Sequence, residues 1–316
     1  MWLNELWKRW LGRTTKARCA RPPVQLLLEQ LEDRTVPANF TAASVSELIA
    51  DMNMANFTAE GDTITLVAGK TFTLTAVNNT AHGATGLPTI LAAGGSLTIL
   101  GSGDVIQRST AREAPAFRLF DVAAGGALTL YNLTLQGGLA FGFGVSAQGG
   151  AVYNLGTLTL NGVTVQNNTA QGGPGNTIYV PGPGGSAAGG GLYSNGVLTV
   201  MGGTIQNNAA IGGQGADSGR AYGGAPAGNG GNGLGGGAYA GGGTVTMQNT
   251  SITGNIAKGG QGGRYGNGNP GEGVAGGIYI DMTASVGLDA FTVAHIKQNK
   301  ASSSDDNIHG WYDVIL

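Results

Sequence analysis

The sequence predicts an all-β fold: a single-stranded parallel β-helix with Gly-rich loop insertions. Three observations lead to this prediction. Apolar residues alternate with polar ones in short runs, such runs recur every 30 to 47 residues, and Gly-rich segments separate the copies. Alternation with a period of two is typical of strands that bury one face. Because no single copy could bury its own apolar face, the copies are expected to stack as a solenoid.

The composition excludes several classes of protein. Of 316 residues, 60 are Gly, 41% are hydrophobic and 11% are charged. Glycine at this level without a three-residue period excludes collagen, and the regular apolar spacing argues against a disordered chain. The chain beyond residue 34 holds nine Lys and Arg against fourteen Asp and Glu, so no basic face for nucleic acid is expected. A single Cys, Cys19, excludes an internal disulfide, and no apolar run approaches the ~20 residues of a membrane-spanning helix.

A basic leader precedes the repeats. Trp and Leu residues recur at helical spacing between Trp2 and Leu11, with Lys8 and Arg9 among them, which indicates an amphipathic segment that is either helical or disordered. We therefore divide the chain into a basic, amphipathic leader (1–38) and a β-helix domain (39–316). Within the domain we expect an N-terminal cap (39–60), the coils (61–300) and a C-terminal cap or tail (301–316).

The copies align on an Asn that closes all but the first of them, where Gly138 stands instead. The step from Leu160 to Val163 breaks the alternation by one residue, which predicts a bend between two short strands whose apolar side chains both point inward. The aligned segments are LTLYNLTLQGG from Leu128, LTLNGVTVQNN from Leu158, LTVMGGTIQNN from Leu198, VTMQNTSITGN from Val245, and a degenerate copy that keeps Phe291, Val293, Ile296 and Asn299.

Two positions recur once per copy. At the corner we expect a ladder of stacked amides, because Asn tolerates the left-handed backbone of a tight turn and amides can hydrogen-bond along the axis. Its members are Asn168, Asn208, Asn255 and Asn299. A Tyr enters each copy after a Gly pair, and these rings are either candidate ligand-binding residues that stack on a sugar or structural side chains packed at the corner. They are Tyr153, Tyr193, Tyr239 and Tyr279.

Two stretches resemble known groups. The repeats, such as GGGLYSNGVLTVMGGTIQNNAA, resemble right-handed parallel β-helix surface proteins, including polymorphic outer-membrane-protein-type repeats, over roughly residues 40–300. This resemblance implies that SELIADMN, from Ser46, is the capping helix. The run LLLEQLEDRTVPA, from Leu26, resembles the short N-terminal motif of planctomycete extracellular proteins. Together they imply an extracellular, cell-surface or outer-membrane location.

The Gly-rich insertions leave every copy at the same point, so they should stack on one side of the solenoid, often the binding side of a repeat protein. They span Gln171–Ala188, Gly212–Leu234 and Gly259–Ala275. GGQGAD, ending at Asp217, matches the start of the calcium-binding nonapeptide, but Gly219 stands where that motif has a large apolar residue. Asp217 is thus a weak calcium candidate, and no other metal or cofactor is expected.

The sequence does not predict an enzyme. From Val122 to Ala216, 95 residues include no Asp, Glu, Lys, Arg or His, whereas cleavage of a glycosidic bond needs acid and base groups. The densest charged group is expected to lie on a solvated loop; it comprises Asp104, Arg108, Arg112, Glu113, Arg118 and Asp121. Three histidines are scattered, and we expect His295 to face outward from a strand beside Ile296.

Three functions remain open. The first is a non-catalytic structural or adhesin-like protein of the cell surface. The second is a carbohydrate-active enzyme, of lyase or hydrolase type, that uses Asp104, Glu113 and Asp121. The third is a carbohydrate-binding module without chemistry. The expected partners are a surface polysaccharide or another cell-surface protein, and nucleic acid is not expected.

Overall fold

The computed structural model describes residues 37–142, 145–176, 180–218 and 226–316, and it shows the predicted parallel β-helix. The leader therefore lies outside the described residues, apart from its last two. Every pair of neighbouring strands in the four sheets runs parallel, as it must when a chain winds in one direction and each turn lies on the one before it. We call each such turn a coil.

One coil illustrates the path. The strand Thr157–Asn161 leads through a corner at Gly162 into a second strand, Thr164–Gln166, and a second corner leads into Thr169–Gln171. A Gly-rich excursion follows, and the chain comes back through Ala187–Ala188 and Leu192–Ser194 before the next coil begins. The bend predicted between Leu160 and Val163 is thereby confirmed.

We name the four sheets by their place in the coil. The long sheet has two legs that meet at the first corner, and its strands are Asn39–Ala42, Asp62–Leu66, Thr71–Leu74, Ser96–Arg108, Ala127–Gln136, Thr157–Asn161, Thr164–Gln166, Val197–Met201, Thr204–Gln206, Gly243–Gln248, Ser251–Thr253, Ala284–Asp289, Ile296–Lys297 and Asp313–Ile315. The outgoing sheet comprises Leu139–Phe141, Thr169–Gln171, Ala209–Ile211, Ile256–Lys258 and Lys300–Ala301.

The remaining two sheets close the coil. The return sheet comprises Ala147–Gln148, Ala187–Ala188, Gly233–Leu234 and Gly273–Val274. The tyrosine sheet comprises Phe120–Val122, Val152–Asn154, Leu192–Ser194, Ala238–Ala240, Ile278–Ile280 and Ile308–His309. Two α-helices, Val45–Ala55 and Ala290–His295, and a 3-10 turn, Ala92–Gly94, complete the described elements.

The core lies between the long sheet and the tyrosine sheet. In-register columns of Leu, Val and Ile fill it, such as Leu128, Leu158, Leu198 and Val245, which are almost fully buried. Between the outgoing and return sheets the interior narrows to a separate cluster of five alanines: Ala140, Ala147, Ala170, Ala187 and Ala210. Only small side chains fit there, so the two backbones approach each other before the Gly-rich segments begin.

The predicted capping helix is present at the N-terminal end. Ser44 caps it by accepting a hydrogen bond from the Glu47 amide, and the Glu47 carboxylate accepts one from the Ala43 amide at 2.7 Å. Leu48 and Met52 are buried against the first coil. The helix thus covers apolar surface that would otherwise be exposed at the end of the stack.

At the second corner, two consecutive residues share the roles that the sequence analysis assigned to one. The first takes the left-handed backbone, and the second is the buried asparagine of the ladder. Asn167 and Asn207 take the left-handed backbone, with φ of 55° and 54°, and they are exposed. The following residues, Asn168 and Asn208, are fully buried. The expectation that Asn168 and its equivalents supply the left-handed turn is therefore wrong; that role belongs to the residue before each of them.

The buried asparagines form a hydrogen-bonded ladder along the axis. The Asn168 side-chain amide donates to Asn208 Oδ1 at 2.9 Å, Asn208 donates likewise to Asn255 at 3.0 Å, and Asn255 to Asn299 at 2.9 Å. Each Oδ1 also accepts the backbone amide of the Asn one coil earlier. Each Nδ2 donates in addition to a carbonyl of the preceding coil. These buried amides are thus hydrogen-bonded through both their oxygen and their nitrogen, as a buried polar group requires.

The Gly-rich insertions stack on one side, as predicted, and they form a two-layer structure that we call the glycine fin (described parts of 172–186, 212–232 and 259–272). Within the outgoing layer, the Gly172 amide donates to Ile211 O at 2.9 Å. Within the return layer, the Gly184 amide donates to Asn229 O at 2.8 Å. Within single fin segments glycines stand three residues apart, as Gly172 and Gly175 or Gly260 and Gly263 do, which locally matches the three residues per turn of a polyproline II helix; the spacing does not extend along the chain.

Hydrogen bonds also join the two layers of the fin. They alternate between outgoing and return segments, with distances of 2.8–2.9 Å, in the order Gly185 to Gly173, Gly213 to Gly185, Gly231 to Gly213, Gly260 to Gly231 and Gly271 to Gly260, donor first. A Cβ on Gly172 would lie 1.8 Å from Gly185 O, and one on Gly213 would lie 2.0 Å from Gly173 O. Glycine is required at these positions because the backbone of the opposite layer occupies the space that a side chain would need.

The last copy departs from the prediction. Val286 and Leu288 pair with Val245 and Met247 and fill the core positions expected for Phe291 and Val293. Those two residues instead lie in the helix Ala290–His295, which is inserted at the first corner and capped by the Asp289 carboxylate on the Thr292 amide at 2.8 Å. Ile296 returns to the register, opposite Ile252.

His295 also differs from expectation, and the final residues add strands to two of the sheets. His295 ends the inserted helix and stacks on Phe291 with ring centroids 3.8 Å apart, so the expectation that it faces outward from a strand is wrong. Beyond residue 301, Ile308–His309 and Asp313–Ile315 extend the tyrosine sheet and the long sheet. This segment therefore continues the stack.

We predict that Gly213→Ala destabilises the fin, because its new Cβ would overlap the Gly173 carbonyl. Overpacking of this kind costs about 1–3 kcal/mol. The matched control is Gly182→Ala, whose Cβ would meet nothing nearer than Asn176 O at 3.4 Å, and its effect should stay within about 0.5 kcal/mol. Thermal unfolding and amide exchange of the fin measure both. Equal effects of the two substitutions would contradict the two-layer packing.

We predict that Asn208→Leu lowers the free energy of unfolding by about 3 kcal/mol or more, because it leaves the side-chain and backbone amides of Asn168 buried without their hydrogen-bond acceptor. Each buried donor without a partner costs about 1–3 kcal/mol. Asn207→Gly, one residue away but exposed and left-handed, should change stability by only a few tenths of a kcal/mol. Denaturant unfolding curves of both variants make the comparison, and a near-neutral Asn208→Leu would refute the ladder's contribution.

Candidate functional site

The four tyrosines form one continuous column on the outer side of the tyrosine sheet. Adjacent ring centroids lie 5.1, 5.2 and 5.0 Å apart, and the ring planes differ by 7°, 5° and 4°. The column follows from register, because the four residues pair directly in successive parallel strands. The rings are half-buried, and their sequence neighbours Val152 and Asn154 point inward.

A histidine closes each end of the column. His82 lies against Tyr153 with centroids 5.7 Å apart, and His309 stacks on Tyr279 at 4.7 Å. The faces of every tyrosine are thus in contact with a neighbouring ring. A sugar that stacks on an aromatic residue needs a free ring face, so the column offers ligands only its edges and hydroxyl groups.

Burial raises the pKa of all four phenols. The largest effect falls on Tyr239, whose pKa rises to about 12 through burial first and the negative charge of Asp281 second. Asp281 also raises the pKa of Tyr193 and Tyr279, and Glu272 contributes at Tyr279. The C-terminal half of the column therefore lies in a negative potential.

At the N-terminal end of the column lies a group that we call the His82 cluster (His82, Thr89, Arg118 and Asp121). Asp121 is fully buried and occupies the register position before Tyr153. His82 Nδ1 lies 3.0 Å from Asp121 Oδ2, and the Thr89 hydroxyl donates to the same oxygen at 2.8 Å. An imidazole whose Nδ1 is held by a carboxylate presents its other nitrogen to solvent, an arrangement suited to proton transfer.

Arg118 forms the inner wall of this cluster. It is 5% exposed, its guanidinium carbon lies 5.0 Å above the Tyr153 ring, and Nη1 donates to His82 O at 2.7 Å. Burial lowers its pKa, while Asp121 and Tyr153 act in the opposite direction. Within the described part of the chain, Arg118 Nε is buried without a hydrogen-bond partner.

The expectation of a solvated charged loop is wrong for four of its six residues. Arg108 is half-buried at the end of the strand Ser96–Arg108, where its Nε donates to Gly137 O at 2.8 Å. Arg118 and Asp121 are buried at the tyrosine sheet. Asp104 is fully buried at the first corner of the long sheet, where it accepts hydrogen bonds from the Lys70 and Ser102 amides. Arg112 and Glu113 are exposed. The structure therefore places Asp104 and Asp121 in different sheets and does not bring them together as the carboxylate pair of a glycosidase.

At the other end of the column lies a cleft of 720 Å³, which we call the C-terminal cleft. Its lining residues are Tyr279, Ile280, Asp281, Met282, Ala284, His309, Gly310 and Trp311. Trp311 and Met282 are almost completely exposed, at 92% and 99%. His309 Nδ1 lies 2.5 Å from Asp305 Oδ2, so each end of the column carries a His–Asp pair.

The weak calcium candidate is engaged elsewhere. Asp217 Oδ1 accepts a hydrogen bond from the Arg264 amide at 2.8 Å, which ties two successive segments of the fin together. Among the described residues, no three His, Cys, Asp or Glu side chains lie close enough together to hold a metal ion.

The residues that sequence reasoning missed are those whose partners are distant along the chain. His82 lies 39 residues before Asp121, and no local pattern links the two. Trp311 carries one sequence signal, since the other tryptophans, Trp2, Trp7 and Trp10, all belong to the leader. Asp281 follows the last ladder tyrosine by two residues, which in a strand places it on the same face.

Comparison with known proteins found no relative. No protein-family model matches the chain, and neither a curated protein nor a solved structure matches it. No helix within the described ranges is long and apolar enough to cross a membrane.

We predict that Asp281→Asn lowers the pKa of Tyr239 from about 12 toward its ordinary value without reaching it, because burial remains the larger cause. Absorbance titration of the phenols, with Tyr239→Phe to assign the signal, measures the shift. Asp313→Asn, which changes an exposed carboxylate of the last coil, is the control and should leave this titration unchanged.

The same phenols should make stability depend on alkaline pH. A phenol with a raised pKa in the folded state keeps its proton after the unfolded chain has lost it. Stability should therefore hold below pH 10 and fall between pH 10 and about 12. Unfolding temperatures that stay constant across this interval would contradict the pKa shift.

Proposed function

We propose that the protein is a non-catalytic, structural, adhesin-like protein of the cell surface or extracellular space. The glycine fin is the observation that carries this proposal. Backbone hydrogen bonds join three outgoing and three return segments into a double layer, so the insertions extend the scaffold laterally as an ordered surface. A large, ordered surface with few charged side chains suits attachment and assembly better than turnover of a substrate.

The distribution of ionisable side chains supports the same function. The coils between Val122 and Ala216 carry no Asp, Glu, Lys, Arg or His, so those coils have no side chain of the kinds that usually act as general acid or base. The likeness of the repeats to polymorphic outer-membrane-protein-type repeats, and of Leu26–Ala38 to the planctomycete extracellular motif, supports export. A surface polysaccharide or another surface protein is the partner that we propose.

Protease treatment of intact cells tests the location. The full chain, carrying a C-terminal tag, should be degraded on intact cells, whereas a variant without residues 1–38 should stay protected inside them. Lysed cells provide the control that both forms are cleavable. Protection of the full chain in intact cells would refute the surface assignment.

Loss of the protein tests the role. Cells without it should show altered attachment or aggregation, and the wild-type chain should restore the phenotype. The Gly213→Ala variant, whose fin is destabilised, should restore it less well than Gly182→Ala at equal surface amounts. Equal restoration by both variants would remove the fin from the function.

A second candidate function is a carbohydrate-active enzyme centred on the His82 cluster. The observation that favours it is the imidazole held by a buried carboxylate beside a buried guanidinium. Incubation of the purified protein with neutral and uronic-acid polysaccharides tests it by product analysis. Activity that is lost in His82→Ala and Asp121→Asn, but kept in Tyr193→Phe, would establish the enzyme and refute the structural proposal.

A further inference from the structure

The C-terminal cleft combines an open aromatic face with negative charge. Unlike the ladder tyrosines, whose faces contact one another, Trp311 leaves both faces of its indole accessible. Tyr279 and His309 contribute further aromatic edges, and Met282 adds a polarisable thioether. The exposed indole and the neighbouring thioether form an apolar surface in contact with water, and a ligand that covers this surface is bound more favourably.

The charge of the cleft selects the class of ligand. Asp281 lies in the lining, and its carboxylate accepts hydrogen bonds from the Thr283 amide and hydroxyl at 3.2 and 3.1 Å. Among the described residues it forms no ion pair, and no Lys or Arg lines the cleft. Asp281 and Glu272 both act on Tyr279 as negative charges. The site therefore attracts cations and repels anions.

We propose that the C-terminal cleft binds an organic ammonium ion, in particular a quaternary ammonium group. The Trp311 face would contact the methyl groups of the cation, and the Asp281 carboxylate would balance its charge. A cation over an aromatic ring gains about 0.5–2 kcal/mol, and tryptophan is the best of the aromatic residues in this role. Choline-type headgroups and free methylated amines share this chemistry. The inference is independent of the proposed surface function.

Other ligand classes fit the cleft less well. A uronic acid or a phosphate would place a negative charge beside Asp281. A hard metal ion would require several oxygen ligands, whereas a single carboxylate lines this cleft. A neutral sugar could also stack on Trp311. It would, however, leave the negative charge of Asp281 without a counterion, which makes it a poorer ligand than a cation.

Titration with a matched pair of probes tests the proposal. Choline and its neutral isostere 3,3-dimethylbutan-1-ol have nearly the same shape, so a difference between them reports the charge. We expect choline to produce a saturable shift of the Trp311 indole NMR signal, assigned by its loss in Trp311→Ala, and the isostere to bind at least about tenfold more weakly. Calorimetry should show the same order.

Three variants locate the site. Trp311→Ala should weaken choline binding about tenfold and Asp281→Asn about fivefold. Asp313→Asn is the control, because Asp313 is an exposed carboxylate that does not line the cleft, and it should change affinity by less than about twofold. Unfolding temperatures close to wild type, expected because Trp311 and Asp313 are exposed, show that the variants are folded.

Each alternative occupant gives a different outcome. Glycerophosphocholine, which carries the same headgroup with a phosphate, should bind more weakly than choline; tighter binding would assign the site to lipid headgroups. Equal binding of choline and its isostere, saturation by methyl glucoside alone, or no saturable shift with any probe would overturn the proposal. Concentration-dependent self-association that Trp311→Ala abolishes would assign the cleft to a second copy of the chain and likewise overturn it.

Discussion

The stacking of each coil directly on the one before it is the constraint on which the rest of the structure depends. Hydrogen bonds between parallel strands fix the separation of successive coils at about 4.8 Å. Every outward or inward side chain then lies against the residue at the same position one coil away. A residue type can recur along such a column only if its side chain packs favourably against an identical side chain at that distance.

This rule explains which residues repeat and which do not. Aliphatic side chains, amides, phenols and glycines satisfy it, and each forms a column here; the glutamines at 107, 136, 166 and 206 even hydrogen-bond to one another along the outer face at 2.7–2.8 Å. Like charges directly opposite one another repel. Several charged residues accordingly fall at column ends: Asp121 precedes the tyrosines, and Lys297, Lys300 and Asp313 each lie on a strand at the end of its sheet.

The same rule separates the coils that carry charged side chains from those that do not. The coils between Val122 and Ala216 carry no Asp, Glu, Lys, Arg or His, and the two groups of polar side chains, the His82 cluster and the C-terminal cleft, lie at opposite ends of the tyrosine column. Charged side chains on exposed edge strands also hinder pairing with further strands. The central coils supply a regular surface, which the glycine fin widens because its two backbone layers need no side chains between them.

How much the sequence determined depends on the range of the interaction involved. The strand alternation, the bend at Gly162 and the common exit point of the insertions were predictable, because each is written in a local pattern that recurs, and the capping helix was predicted from the resemblance to other β-helix proteins. Which of Asn167 and Asn168 takes the left-handed backbone was not predictable, since both are asparagine and only the path of the corner decides which one is buried. The helix Ala290–His295 replaced the predicted strand because Val286 and Leu288 had already filled the core positions.

Only the tertiary structure decided the contacts between coils. Whether the Gly-rich segments would be separate loops or one interlocked double layer depends on how closely two backbones approach, and a count of glycines does not contain that distance. The pairing of His82 with Asp121 and the open face of Trp311 depend likewise on which residues the winding brings to each end. Periodicity in the sequence thus determined the repeating unit, because each repeat specifies contacts with similar residues in the next coil. The winding of the chain determined which residues meet at the two ends of the stack, because no repeated pattern specifies those contacts.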